Sequence, residues 1–201
     1  MKRIAAVVLA AGLSRRMGVN KLTLSLDGKP VIRHALDSIA ASRLAGTTIV
    51  LGHEAGAVQA ALAGVAAHFV VNEDFAGGLS TSLKAGLAAL APDTDGAMIF
   101  LGDMPDIAPD LIDRMIAAFN PDAGRAIVVP KRDGRRGHPV LWGRQFFAAI
   151  SRKAQGDSGA KNLLEQQAAF IAEVQADSDG VLRDLDTPDD FSRRAGTNET
   201  V

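Results

Sequence analysis

Residues 4–21 read IAAVVLAAGLSRRMGVNK, and the way this stretch divides decides the fold. Its first part, Ile4–Ala10, is an uninterrupted apolar run rich in branched side chains, the pattern of a strand buried on both faces. After Ala10 the chain gives up hydrophobicity for small residues and cations, as a polar, glycine-punctuated loop running from Gly12 to Gly28. A loop of that length in a compact domain is usually functional. Pro30 is then expected at the first position of a helix whose apolar face is Val31, Ile32, Ala35, Leu36 and Ile39.

Outward from this β, long loop, α unit the alternation continues. Apolar runs at 47–51, 67–71 and 97–101 read as strands, and 56–62 and 80–90 as helices, the second with Leu79, Leu83, Leu87 and Leu90 on one stripe. Pro109 opens another helix, burying Leu111, Ile112, Met115, Ile116 and Phe119. Such alternation predicts an α/β domain with a mostly parallel central sheet and helices on both faces. Beyond residue 125 the rhythm loosens: strands at 126–130 and 139–142 flank a Gly- and Arg-rich hairpin, which predicts an antiparallel element. Helices come next at 145–150 and 160–167, then a strand at 170–174 and a last helix. That helix should begin at Pro188, with Thr187 as its N-cap and Asp190 near N3. The domain is expected over 1–194, and the tail at 195–201 is expected to fray.

Composition narrows the function. A chain of 201 residues fits one domain, and 47% hydrophobic with 22% charged residues excludes disordered and fibrous classes. The 22 Lys plus Arg against 23 Asp plus Glu leave a net charge of -1, so no global field draws nucleic acid or an anionic membrane. Any phosphate must be caught locally. With no cysteine there are no disulfides, thiolate zinc sites or Cys nucleophile, and a cytoplasmic setting is the expectation. The absence of Tyr and the single Trp argue against an aromatic platform for single-stranded nucleic acid, and His34, His53, His68 and His138 lack the spacing of a metal cage. The start, MKR before an apolar run, imitates a short signal peptide. It feeds through Ala10, Ala11 and Gly12 straight into Ser14, Arg15 and Arg16, and reads instead as strand and loop. No stretch reaches the roughly 20 apolar residues of a membrane span.

Ligands of open α/β sheets bind beyond the carboxyl ends of the strands. Three loops there are chemically loaded. In LAAGLSRRMGVNK (9–21), Ala10, Ala11 and Gly12 let backbone amides approach a ligand, and Arg15, Arg16 and Lys21 can bond phosphate. It is not a Walker loop: five residues separate Gly12 from Gly18, and Lys21 precedes Leu22. In MIFLGDMP (98–105), Asp103 emerges just after a buried strand, placed either to hold a hard cation such as magnesium or to make an Asx turn before Pro105. In DLDTPDD (184–190), helix capping and the helix dipole account for Asp189 and Asp190. Asp186 lies outside the helix, free to complete a two-carboxylate site with Asp103. NEDFAGGLSTS (72–82) places Asn72, Gly78, Ser80, Thr81 and Ser82 near a positive helix end. GRRGHPV (134–140) and GDSGAK (156–161) suit an acceptor pocket, with Asp157 and Ser158 equally suited to capping a helix; His138 is placed to contact an acceptor, although a lone histidine is more often structural.

These stretches together resemble the MobA-like nucleotidyltransferases. LAAGLSRRMGVNKLTLSLDGKPVIRH, NED, GLSTSLKAGL, GDMP, GRRGHPVLWG, GDSGA and DLDTPDD occur in that family's order over residues 4–191, most like the molybdenum cofactor cytidylyltransferase branch. The resemblance implies a single Rossmann-like domain of the glycosyltransferase-A type, a nucleoside triphosphate donor and Mg2+. It puts Arg16 and Lys21 at phosphate-contacting positions, Asp103 at the metal aspartate and Asp186 at the second acidic position, so that Arg16, Lys21 and Asp103 carry catalysis. Leu9, Ala10, Ala11, Gly12, Asn72, Gly78, Ser80, Ser82 and Gly102 would join Arg16 and Lys21 around the nucleotide. His138, Pro139, Asp157 and Gly159 would face the acceptor. Ala10-Ala11-Gly12 and Gly102-Asp103-Met104-Pro105 resemble the CTP-using branch, whereas Gly137-His138-Pro139 departs from the GNP of some cytidylyltransferases. The expected reaction moves CMP from CTP to a molybdopterin-type acceptor, with a molybdenum hydroxylase as possible recipient. The alternatives are another NTP or a sugar phosphate as substrate, and a cofactor-delivery chaperone that transfers nothing.

Overall fold

The computed structural model describes the backbone of residues 2–196 and the side chains of residues 2–194, so the tail expected to fray lies, beyond the last helix, outside the described residues. β1 (Ile4–Ala10) has the expected bounds, and Ala6, Val7 and Val8 are wholly buried. After it come a short antiparallel ladder, β2 (Ser25–Leu26) with β3 (Lys29–Pro30), then α1 (Val31–Ala40) and β4 (Thr47–Leu51). The ladder corrects the expectation for Pro30. Extended at φ -55° and ψ 140° and paired with Ser25, it is the N-cap of α1 rather than its first helical residue. The two residues between the ladder strands, Asp27 and Gly28, both have positive φ, as a tight hairpin turn requires.

The chain continues through α2 (Ala55–Ala61), β5 (His68–Val71), α3 (Leu79–Ala88), β6 (Gly96–Leu101) and α4 (Pro109–Ala118). β7 (Ile127–Arg132), β8 (Arg135–Arg136) and β9 (Val140–Gly143) form the expected hairpin region, followed by α5 (Phe147–Lys153), α6 (Lys161–Gln166), β10 (Ile171–Gln175) and α7 (Pro188–Gly196). The sheet order is β10-β7-β9-β6-β1-β4-β5, with β8 on β7. β1 is central, parallel to both β4 and β6, and β9 is the antiparallel strand between β6 and β7. Alternation along β1 sends Ala6 and Val8 into the core that packs on α1, α2 and α4 through Ile32, Val58 and Ile112. It sends Val7 and Leu9 to the opposite core, against Leu83 of α3, Ile150 of α5 and Leu163 of α6. Helices therefore cover both faces, and among the described residues no helix is long and apolar enough to cross a membrane.

Two features bring the end of the chain back across the carboxyl edge of the sheet. Thr187 and Asp190 form the expected capping box at the start of α7: the Asp190 N–H donates to Thr187 Oγ1 at 3.2 Å, and the Thr187 N–H to Asp190 Oδ2 at 2.9 Å. Before it, the 180–186 segment lies against two backbones. The His138 N–H donates to the Val181 carbonyl at 2.9 Å, and the Leu185 N–H to the Asp103 carbonyl at 3.1 Å. Glycine makes this approach possible, because a Cβ on Gly180 would sit 2.1 Å from the Asp106 carbonyl oxygen.

Gly180→Ala is therefore expected to lower unfolding stability by about 1–3 kcal/mol, as overpacking against rigid backbone does. Urea unfolding checks this, with Gly46→Ala, whose added Cβ meets nothing within 4 Å, remaining within about 0.5 kcal/mol of the unsubstituted protein.

Candidate active site

Strand ends and returning segments enclose a cleft of about 420 Å³ at the carboxyl edge of the sheet. Leu9 and Leu101, the last residues of β1 and β6 to face it, form its floor. One wall is the loop after β1, from Ala11 to Arg16; the other is the start of α3, at Gly78, Leu79 and Ser82. The loop is shaped by its own side chains. Ser14 takes a positive φ of 47°, its carbonyl accepts from the Met17 N–H, and its Oγ accepts from the Lys21 N–H at 3.2 Å. Asn20 caps the short turn Lys21–Thr23 by accepting from the Leu22 N–H. This anchors Lys21 at the end of the cleft, where its side chain is only 11% exposed.

Four of the expected residues meet there. Lys21 Nζ lies 2.5 Å from Asp103 Oδ2 and 2.5 Å from Asp186 Oδ1, and Arg16 pairs with the second oxygen of Asp186. Burial alone would pull the Lys21 ammonium below its ordinary value, but Asp103 and Asp186 outweigh it and raise the pKa. Burial likewise opposes the ionised Asp186, and the Lys21 and Arg16 cations overcome it, holding that carboxyl below the usual range. Asp184 goes the other way: burial, together with the Asp186 and Asp103 charges, raises it. One oxygen from each of Asp103, Asp184 and Asp186 falls within 4.8 Å of the others. Three hard oxygen donors converging on one point suit a divalent cation such as magnesium or manganese.

Sequence reasoning passes over Asp184, although its signal is present: in an extended segment, residues two apart share a side, and DLD puts acids at 184 and 186. Phe75, which also lines the cleft, carries no such signal.

Other expected nucleotide residues stand behind the walls. Ala10 is in the core, 1% exposed, and Gly102 ties the strand ends together by donating its N–H to the Leu9 carbonyl at 3.0 Å. Asn72 is buried and fully engaged. Its Nδ2 donates to Thr81 Oγ1 at 2.9 Å and Ser82 Oγ at 3.0 Å, and its Oδ1 accepts from the Asp74 N–H. Ser82 lines the cleft and Ser80 does not.

Of the residues expected at an acceptor, Asp157 faces the cleft from the short turn Gly156–Ser158, and neither it nor Ser158 caps α6. Pro139 and Gly159 are outside the lining. His138 also stands behind it, its Nδ1 buried without a partner. Burial lowers its pKa from the ordinary histidine value, against the opposing pull of Asp103 and the Ile99 backbone.

Known proteins share this arrangement of chain. A family model described as the MobA-like NTP transferase domain matches residues 6–170. The nicotine blue oxidoreductase of Paenarthrobacter nicotinovorans is 27% identical over 195 residues, 94% of this chain and 95% of the relative. The molybdenum cofactor cytidylyltransferase of Escherichia coli K12 is 29% identical over 200 residues, 95% of each. Among solved structures, the manganese complex of Rv0371C from Mycobacterium tuberculosis H37Rv superimposes with a TM-score of 0.82 at 29% identity, covering 97% of this chain and 98% of that one.

The ion pairs set a pH window for stability. Asp186 titrates below its ordinary 3.8, so its contribution is full above that value and is lost as the pH falls through the lowered pKa. Lys21 titrates above its ordinary 10.5, so its share is full below 10.5 and is lost as the pH rises through the raised pKa. Lys21→Met is expected to cost about 1–3 kcal/mol at neutral pH, less than a fully buried pair because both ends retain some solvent. Thermal melts across pH should show the variant and the parent protein converging in acid.

Proposed function

The chain belongs to the MobA-like NTP transferase family, and on that premise we propose that it transfers CMP from CTP to a phosphate-bearing acceptor, molybdenum-bearing molybdopterin, with release of pyrophosphate. The observation that carries this reading is the convergence of Arg16, Lys21, Asp103 and Asp186 at one end of a cleft floored by strand ends. The molybdenum cofactor cytidylyltransferase of Escherichia coli, similar over nearly the whole chain, supports the choice of donor and acceptor.

In this reading the nucleotide lies between the loop after β1 and the start of α3. Small residues at Ala11 and Gly12 admit the backbone close to the ligand, and Gly78 and Ser82 line the opposite wall. Asn72 donates into Ser82 Oγ and so leaves the Ser82 proton available to the nucleotide. The acceptor approaches from the side of Asp157, the one residue of the expected acceptor set that lines the cleft. One of its phosphate oxygens attacks the α-phosphorus of CTP; a new P–O bond forms, the bond to the β-phosphate oxygen breaks, and pyrophosphate leaves with that electron pair. A phosphate oxygen is already anionic at neutral pH, so the reaction calls for alignment and charge stabilisation rather than a strong base. Asp103 and Asp186, with Asp184 within reach, would hold magnesium, which when bound neutralises phosphate charge. Arg16 and Lys21 stabilise the charge that builds on the departing pyrophosphate.

Pyrophosphate release measured with each of the four NTPs, magnesium, and molybdenum-bearing molybdopterin or simple sugar phosphates tests the proposal. CTP with the molybdopterin acceptor should turn over, and Asp103→Ala should reduce that rate by about 10²-fold or more while the fold is retained. Turnover with GTP or with a sugar phosphate in preference would reassign the substrates, and CTP binding with no pyrophosphate from any acceptor would favour a delivery chaperone.

A further inference from the structure

Lys21 stands where the proposed reaction needs a metal. Its ammonium is 2.5 Å from an oxygen of Asp103 and 2.5 Å from an oxygen of Asp186, so it fills the space between the two carboxylates that would bind a divalent ion. The same side chain is expected at the phosphates of the nucleotide. One ammonium on one tether cannot bridge the carboxylates while an ion occupies the space between them. Arg16, by contrast, holds only the outer oxygen of Asp186, is 68% exposed, and can remain there.

We propose that Lys21 is the resident cation of the nucleotide-free site, and that metal and triphosphate enter by exchange: the ion takes the carboxylates as the Lys21 ammonium moves to the phosphates. The inference rests on the reading of Asp103 and Asp186 as metal carboxylates, and it adds a consequence that reading lacks. Ion and nucleotide each need Lys21 to move in the same direction, so they bind cooperatively. A free ion alone must displace an ammonium that has nowhere equally favourable to go; with the triphosphate present, the displaced ammonium gains new anionic partners. Three features favour this over a static ion pair. Lys21 is held at its backbone, its N–H donating to Ser14 Oγ and its carbonyl accepting from the Leu24 N–H, which leaves the four-carbon stem as the moving part. Its two partners come from distant segments, and among the described residues Arg16 is the one other cation paired with either of them. Asp184, third of the converging acids, has an oxygen close enough to take up the arriving ion.

The test reads Mn2+ binding directly, by electron paramagnetic resonance of the free ion or by calorimetry, with no turnover involved. Without nucleotide, Lys21→Met is expected to bind Mn2+ on the order of tenfold more tightly than the parent protein, having lost the competing ion pairs. Lys21→Arg should bind it as weakly as the parent, and Asp103→Asn should bind it poorly. A second readout uses the unsubstituted protein alone: reductive methylation followed by mass spectrometry should label Lys21 slowly in the metal-free protein and faster once Mn2+ is added to the concentration at which the direct binding measurement shows the site saturated. Equal Mn2+ affinity in Lys21→Met and the parent, or Lys21 labelling unchanged by saturating Mn2+, would overturn the exchange. Failure of CTP or molybdopterin as substrate would leave these binding results intact, so the two proposals fail separately.

Discussion

The placement of a lysine ammonium between two carboxylates governs how this molecule is put together. Asp103 follows β6, Asp186 precedes α7 and Lys21 follows the loop after β1. Like charges brought this close repel unless a cation stands between them, and a lysine removed this far from water is tolerable only beside anions. Each group therefore needs the others, and the three segments are held together by charge at the place where a ligand would enter. The protein's near-zero net charge hides this local concentration of both signs.

Packing makes that meeting possible. β1 is an interior strand of the sheet and contributes to the cores of both faces, so its carboxyl end is fixed from two sides. The 180–186 segment can lie against the ends of β6 and β9 because glycine stands at 137 and 180: a Cβ at either position would come within 2.1 Å of a carbonyl oxygen. The capping box then turns the chain into α7 immediately after Asp186. Short-range steric permission at glycine and long-range ion pairing thus act on the same segment, one allowing the approach and the other stabilising it.

The strands and helices of the alternating region were legible because burial on both faces writes continuous apolar runs, and the runs at 4–10 and 47–51 have the bounds of β1 and β4. Helix ends were legible where chemistry fixes them, as at Pro109 and at Thr187 with Asp190. Pro30 misled by one position, because a proline suited to opening a helix is equally suited to ending an extended ladder, and pairing with Ser25 decided between them. In the cleft, charged residues at strand ends could be read from the sequence. Which small or polar neighbours face a ligand could not, since Ala10 and Asn72 sit one layer behind residues of similar character, and only three-dimensional register separates them. Asp184 was concealed in an acidic run whose later members serve the helix dipole.

The proposed chemistry requires one triphosphate and one divalent ion to be held together at the end of the cleft. Crystals grown with a non-hydrolysable CTP analogue and Mn2+ test this most directly, through anomalous scattering from the metal. The expected result is a manganese peak bonded to Asp103 and Asp186, with the analogue's phosphates beside it and its base between the 11–16 loop and the start of α3. A metal peak elsewhere, or a nucleotide lying outside this cleft, would contradict it.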